Sequence, residues 1–290
     1  MFELRSVLAQ AHGSGVAVGH FNISDLVLLK AVFDSAQMLK VPVSVGVSEG
    51  ERAFLGVAQV AALVKSLREE YGYPIFLNAD HTHSLHGAVA AAKAGFDSIV
   101  FDLSALPFDE NVRQTKEAVE VLKAINPAIL VEGEIGDIGT GSEIHEAVPI
   151  HPAPLSTPNE AKQFVISTAV DILAPAVGNT HGMVETMVDG NTRKHLNIKR
   201  ILEIKQACGC LLTLHGGSGT DDQDLRDAIR AGINIIHINT ELRVAWRRGI
   251  DASLAETPKE VVPYKLLPAV ENSVKEIVIN RLRIFNSLIN

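Results

Sequence analysis

A (β/α)8 barrel of the TIM type, one α/β domain over residues 1–290 with a C-terminal helical extension, is the fold class the sequence predicts. Three observations predict it. Short apolar runs alternate eight times with helical patterns, with no linker or composition break between them. The runs are nearly continuous in apolar character, as strands covered on both faces are. The length of 290 residues suits a single barrel. A doubly wound open sheet is the alternative. It requires a glycine fingerprint after the first strand, whereas Gly13-Ser-Gly15 precedes that strand.

The first strand falls at 16–22, and Ser24-Asp25 caps a helix over 26–40. The second strand covers 41–47, and helix follows Ser48-Glu49-Gly50 to about residue 70. The third covers 75–79, with Asp80 and His81 where it runs out. Ser84 caps a helix over 85–94 that Gly95 stops. The fourth strand is 97–101, and the helix at 108–125 has acids early and lysines late, as the helix dipole favours. The fifth strand is 128–134. Residues 136–158 are irregular and rich in Gly, Pro and His, the mark of a functional lid or a disordered segment. Helix at 159–169 leads to a sixth strand at 171–177 and a polar loop at 184–194. Helix at 196–207, a seventh strand at 211–214, helix at 221–231 and an eighth strand at 233–239 complete the ring. Thr240 opens a helix through Trp246, and 263–288 reads as one more long helix.

An apolar fraction of 47% with 21% charged residues is ordinary for a soluble enzyme and supports a large core. The net charge of −8, with no long basic run, argues against nucleic acid as a partner. Cys208 and Cys210 are too close in sequence to bridge without strain and read as reduced packing residues. The N-terminal stretch carries charges inside its apolar run, so it is not a signal peptide. No apolar run approaches the ~18 residues of a membrane span. A cytoplasmic protein is the expectation.

A barrel gathers its strand C-termini at one mouth. His81 follows the third strand, Glu134 ends the fifth, His181 follows the sixth and His215 follows the seventh. Three imidazoles with an open fourth position suit a catalytic zinc. Any one of them alone also fits a hydrogen-bonded polar residue, and Asp80 alone also fits a helix cap. The turn His215-Gly216-Gly217-Ser218-Gly219 lies between a strand and a helix. There, backbone N–H groups can approach an anion, and Asn239-Thr240 could complete the site from the eighth strand. Otherwise it is a tight turn.

Taken together and in order, several motifs resemble the class II, metal-dependent ketose-bisphosphate aldolases, the family of fructose- and tagatose-bisphosphate aldolases. They are Asp80-His81, Phe101-Asp-Leu-Ser104 with Asn111-Val-Arg-Gln-Thr115-Lys116-Glu117, and Val131-Glu-Gly-Glu134-Ile-Gly136. Gly178-Asn-Thr-His181-Gly182, Leu214-His-Gly-Gly-Ser-Gly219 and Asn239-Thr-Glu-Leu242 complete the set. The resemblance covers nearly the whole chain. It implies that His81, His181 and His215 bind a catalytic zinc (Zn2+) and that Glu134 is an accessory or alternative ligand. Asp80 would protonate the aldehyde oxygen as the carbon–carbon bond forms and take that proton back in cleavage. Gly182, Gly216 and Ser218 match a phosphate site that often has a monovalent cation, Na+ or K+, beside it. Asn239, Thr240, Asn22 and Ser48 match substrate contacts, and a homodimer or homotetramer is implied.

Aldol cleavage must stabilise an enediolate on the ketone half, and zinc does so as a Lewis acid. No strand end offers a Schiff-base lysine. The resemblance implies that the carbon-side proton carrier lies on the loop after the fifth strand, where Glu143 is the candidate and Glu146 the second. Three departures from the family pattern stand out. One loop acid is present where two are usual. His237 replaces an Asn that contacts substrate. Met183-Val-Glu185-Thr186 lacks the usual phosphate lysine, although Arg193 and Lys194 lie further along. His20 and His83 read as polar residues of the mouth. Fructose 1,6-bisphosphate, cleaved to dihydroxyacetone phosphate and glyceraldehyde 3-phosphate, is the expected substrate, with tagatose bisphosphate or a similar ketose as the alternative. A zinc hydrolase would want a His-x-His on the first strand, where only His20 stands. A barrel that binds sugar phosphate without turning it over is the remaining class.

Overall fold

The computed structural model describes residues 2–139, 141–146 and 154–288. Its strands, in chain order, are β1 (Val18–Asn22), β2 (Val43–Val47), β3 (Ile75–Thr82), β4 (Ser98–Phe101), β5 (Leu130–Ile135), β6 (Ile144–His145), β7 (Ile172–Pro175), β8 (Met183–Val184), β9 (Leu211–Leu214) and β10 (Ile233–Ile238). All but β6 and β8 pair in parallel as a closed barrel, in the order β1-β10-β9-β7-β5-β4-β3-β2. The predicted (β/α)8 class is therefore the observed one. The two-residue strands β6 and β8 pair with each other outside the barrel.

The helices are α1 (Leu4–Gly13), α2 (Leu26–Leu39), α3 (Glu49–Leu55), α4 (Val57–Tyr71), α5 (Leu85–Ala94), α6 (Phe108–Ile125), α7 (Pro158–Thr168), α8 (Glu185–Val188), α9 (Ile198–Cys208), α10 (Asp222–Ala231), α11 (Thr240–Glu256) and α12 (Pro263–Phe285). Local chemistry sets many of their ends. The Asp25 carboxylate accepts from Leu28 N at 2.7 Å to open α2. Ser84 opens α5 in the same way, and Gly95 closes it in the left-handed region at φ 91°. Thr157 and Glu160 form a capping box at the start of α7. No helix among the described residues is long and apolar enough to cross a membrane.

The structure departs from the sequence expectation in four places. The helix expected to run to about residue 70 is two helices, α3 and α4, broken where Gly56 takes φ 86°. The helix from Thr240 runs ten residues past Trp246, to Glu256. The polar loop at 184–194 contains α8, and the irregular stretch contains β6. Thr140 and residues 147–153 of that stretch lie outside the described residues. The fourth departure is α1, which closes the bottom of the barrel. Its Leu4, Leu8 and Ala11 pack with Val18, Phe76, Leu130, Ile172 and Ile235. Full burial of a leucine such as Leu8 stabilises by roughly 1.5–3 kcal/mol. Cys208 and Cys210 are free thiols packed against the core, as expected.

Above this apolar floor the interior turns polar. His20 Nε2 meets Asn78 Oδ1 at 3.1 Å, and Asn78 donates to Ser98 Oγ at 2.7 Å. Thr213 donates to Glu132 Oε2 at 2.8 Å. Strand parity produces the layering: Phe76, Asn78 and Asp80 share one face of β3, as Leu130, Glu132 and Glu134 share one face of β5. Each of these strands thus climbs from an apolar residue to a chemically competent one at the mouth.

Candidate metal centre and active site

β3 carries its first chemical groups past the expected end of the strand. Its register against β4 shifts between Ala79 and Thr82, and His81 takes φ 36°, a left-handed conformation rare outside glycine. Such a bulge re-aims a side chain at a barrel rim. Arg52, itself buried, holds the turn by donating to Asp80 O at 3.1 Å and to Thr82 Oγ1 at 3.0 Å.

His81, His181 and His215 each offer a ring nitrogen, all within 4.8 Å of one another. His81 Nδ1 donates to Asp102 Oδ2 at 2.8 Å, leaving Nε2 facing the cluster. His215 Nε2 donates to Glu132 Oε1 at 2.6 Å, leaving Nδ1 only 3.0 Å from His81 Nε2. His181 Nε2 is buried without a hydrogen-bond partner. Two of the three rings thus have their second nitrogen tied to a carboxylate, the arrangement that orients metal-binding imidazoles.

The electrostatics tell the same story. Burial pushes Glu134 up well above the usual carboxylate range, and Asp102 adds to the rise. Burial also raises Asp80, but the nearby His81 and His237 outweigh it and hold Asp80 well below its ordinary value. His81 itself is driven up to about 10: burial disfavours its charge, but Asp80, Asp102 and Glu134 overcome that. Burial, with His81 next, lowers His215 to about 3 and drives His181 well down, so both are neutral and ready to ligate. The field of these carboxylates calls for positive charge where the three rings meet. A divalent cation answers the same field, and His81, His181 and His215 offer the nitrogens to hold it, that of His181 being free of any hydrogen bond. The residues present therefore fit a divalent metal.

Asp80 is 4% exposed, and its Oδ2 accepts from Asn22 Nδ2 at 2.9 Å, whereas Oδ1 has no hydrogen-bond partner. Asn22 also donates to Glu51 Oε2 at 2.9 Å. The expected substrate contacts fall on two sides. Gly182, Gly216, Ser218, His237, Asn239 and Thr240 line a small inner cavity with the three histidines. Ser48, Asn239 and Glu143 line a wider cleft of about 620 Å³ above it, an ordinary size for a small-ligand site. The Ser48 hydroxyl caps α3 by accepting from Glu51 N, and Ser218 Oγ accepts from Asn239 N and Glu241 N at the start of α11. Glu143 is exposed at the cleft beside β6, whereas Glu146 is exposed and does not line it.

His20 departs from the expectation. It is 1% exposed and lies beneath the mouth, its ring stacked on His237 at 3.5 Å between centroids. A glycine makes the room: a Cβ on Gly46 would fall 2.1 Å from His20 Cε1. His83 does stand at the mouth, with Nδ1 2.9 Å from Asp102 O. Sequence reasoning gave no role to Asp102 or Glu132, although both stand in the quoted motifs, and it missed Glu51, Arg52 and Arg243. Arg243 bridges from α11 to Glu51 Oε1 and to Ser142 O. Glu132 had a legible signal, since it stands two residues before Glu134 in an apolar strand and so shares its inward face.

The His181-Gly182 motif has no lysine directly after it, but a lysine from further along the chain reaches the same loops. Lys194 is buried, and its Nζ donates to Thr180 O at 2.6 Å and to Gly216 O at 3.1 Å. Burial lowers its ammonium to about 8, against the opposing pull of Glu241.

A closed barrel whose mouth joins three imidazoles, buried carboxylates and glycine turns belongs to the metal-dependent enzymes that act on small polar substrates. The family model described as fructose-bisphosphate aldolase class-II matches residues 2–288. The fructose-bisphosphate aldolase of Geobacillus stearothermophilus is 33% identical over 290 residues, covering 99% of this chain and 97% of that one. That of Thermus caldophilus is 32% identical, covering 97% of each. Among solved structures, the YdjI aldolase of Escherichia coli K12 superposes with a TM-score of 0.81 at 28% identity over 99% of this chain and 98% of that one. The fructose-bisphosphate aldolase of Campylobacter jejuni, at 18% identity and a TM-score of 0.81 over 98% and 94% of the two chains, shares the fold. The chain belongs to the class-II fructose-bisphosphate aldolase family, and it is an aldolase, a carbon–carbon lyase. Family membership implies a divalent metal, for which the described residues hold suitable groups.

Proposed function

We propose that the chain cleaves fructose 1,6-bisphosphate to dihydroxyacetone phosphate and glyceraldehyde 3-phosphate, with zinc held by His81, His181 and His215. The observation that carries this is the convergence of three imidazole nitrogens within 4.8 Å beside an ionised Asp80, next to the glycine turns of the inner cavity. Glu134 is the accessory or alternative ligand. When bound, zinc supplies Lewis acidity for the charge that develops on the ketone half.

The chain's own groups do the rest. Asp80 starts as a carboxylate and takes the proton of the C4 hydroxyl as the C3–C4 bond breaks and the aldehyde forms. Asn22 keeps Oδ2 of that carboxylate occupied, which leaves Oδ1, 3.3 Å from His237 Nδ1, to take the proton. The electron pair left at C3 takes a proton from the carboxylic acid form of Glu143, on the loop lining the cleft; Asp80 then gives its proton up to solvent, and Glu143 regains one from it. Backbone N–H groups at Gly182 and Gly216, with Ser218 and the start of α11 at Asn239 and Thr240, receive the ketose-side phosphate. Ser48 contributes from the rim of the cleft.

One observation favours a related ketose, such as tagatose bisphosphate. His237 Nε2 is buried without a partner, and its residue lines the inner cavity, so a hydroxyl of different configuration could find it there. The same reading includes a homodimer or homotetramer in the cytoplasm that acts on a small phosphorylated sugar and on neither nucleic acid nor membrane. The net charge of −8 and the two free thiols are in keeping with it.

The test is coupled detection of dihydroxyacetone phosphate before and after chelation, then with zinc restored. Activity should vanish and return. A zinc-loaded chain that cleaves neither fructose nor tagatose bisphosphate would refute the proposal. In the same assay Glu143→Gln should lower turnover by about 10²-fold or more while leaving zinc content unchanged. Wild-type turnover would move the carbon-side proton to another group.

A further inference from the structure

Lys194 is the one buried lysine among the described residues, at 7% exposure. Its ammonium touches no carboxylate within ion-pair distance. The nearby Glu241 is instead bound by Arg281 on both oxygens and accepts from Gly219 N. A buried charge without a counter-ion is costly, so its retention calls for an anion that completes it. Its two acceptors stand immediately before His181 and immediately after His215 in the chain.

The backbone around it is equally fixed. Lys194 N donates to Gly219 O at 2.8 Å, and Asp221 N donates to Lys194 O at 3.0 Å. The two carbonyl-bearing loops meet closely because residue 216 is glycine: a Cβ there would lie 2.3 Å from Thr180 O, and its φ is 61°. The result is a slot between two main-chain carbonyls, of the kind that takes a desolvated monovalent cation, filled by a cation of the chain itself.

We propose that Lys194 is a tethered replacement for the monovalent cation that the family resemblance implies, clamping the turns at Gly182 and Gly216 and balancing the phosphate they bind. This rests on the reading of those turns as the phosphate site. No Na+ or K+ then fits the slot, because its carbonyls are taken. Lys194 acts as a positioning residue and an electrostatic partner, and the usual lysine after the His181-Gly182 motif is dispensable.

The experiment is calorimetric titration of the zinc-loaded protein with inorganic phosphate, in tetramethylammonium, sodium and potassium buffers of equal ionic strength. Wild-type affinity should be the same within about twofold in all three. Lys194→Met, which keeps the length and loses the charge, should bind phosphate about 10- to 100-fold more weakly in tetramethylammonium. It should recover saturably with ammonium or potassium. In the cleavage assay, KM should rise more than kcat falls, a split that general loosening of the loop would not give. Wild-type phosphate affinity that climbs more than about fivefold with potassium overturns the proposal, and that arm needs no variant to fold. Lys194→Met that binds phosphate as the wild type does also overturns it. Phosphate binding is read without any ketose, so failure to cleave sugar would refute the aldolase substrate and not the role of Lys194.

Discussion

His181→Ala is expected to abolish cleavage and to strip the protein of stoichiometric zinc. Of the three clustered histidines, His181 brings the one ring nitrogen that is buried without a hydrogen-bond partner, so no other interaction of the protein uses it. Its backbone is anchored independently, by His181 N donating to Ile138 O at 2.9 Å, so the loop has a reason to stay in place when the ring is removed. A catalytic metal supplies several kcal/mol of charge stabilisation, and each 1.36 kcal/mol is a factor of ten, so turnover should fall on the order of 10³-fold or more. Metal analysis after dialysis gives the second readout. Asp102→Asn is the graded control. It spares the ligand but weakens the acceptor that orients His81, and should weaken zinc binding about 10- to 100-fold. A His181→Ala protein that keeps one zinc per chain and normal turnover would remove His181 from the centre altogether.

The second large effect is Asp80→Asn. The amide keeps the shape and can still meet Asn22, but it cannot accept the hydroxyl proton. A fall in kcat of about 10²–10⁴-fold is expected, with zinc content unchanged and little effect on KM. The pairing of readouts matters because Asp80 Oδ1 lies 3.9 Å from His81 Nε2 and 3.3 Å from His237 Nδ1. If the amide variant lost its zinc, Asp80 would be part of the metal's support and the proton would belong elsewhere.

Much of this was legible in the chain because barrels are built from local signals. Caps at Asp25 and Ser84, the stop at Gly95 and the apolar runs between them fix the alternation, and the alternation implies the mouth. The three histidines were legible for the same reason, since each was expected where a strand runs out at the mouth, although β3 in fact continues through His81. What stayed hidden depends on contacts between strands. Nothing in the local sequence says that β3 continues through a bulge and turns His81 at φ 36°. His20 looked like a mouth residue because Val18, His20 and Asn22 share a face, but its depth depends on Gly46 of the neighbouring strand leaving room for the ring. Lys194 lies in a polar loop with no periodic pattern, and only the folded chain brings it under Gly216. The helix α1 was not foreseen, because a ten-residue helix announces nothing until the surface that it covers is known.

That surface bears on how the protein is made. Leu4 and Leu8 sit on residues contributed by β1, β3, β5, β7 and β10, so α1 has no complete seat until Ile235 has been synthesised. A ten-residue helix is marginal alone in water, so for most of translation this segment is an unfolded, greasy peptide open to chaperones. Once the ring closes, the same peptide disappears beneath it and leaves Arg5, Gln10 and His12 facing solvent. The barrel floor thus doubles as a proof of completion: an unclosed ring leaves the apolar side of α1 on display, and a closed one conceals it.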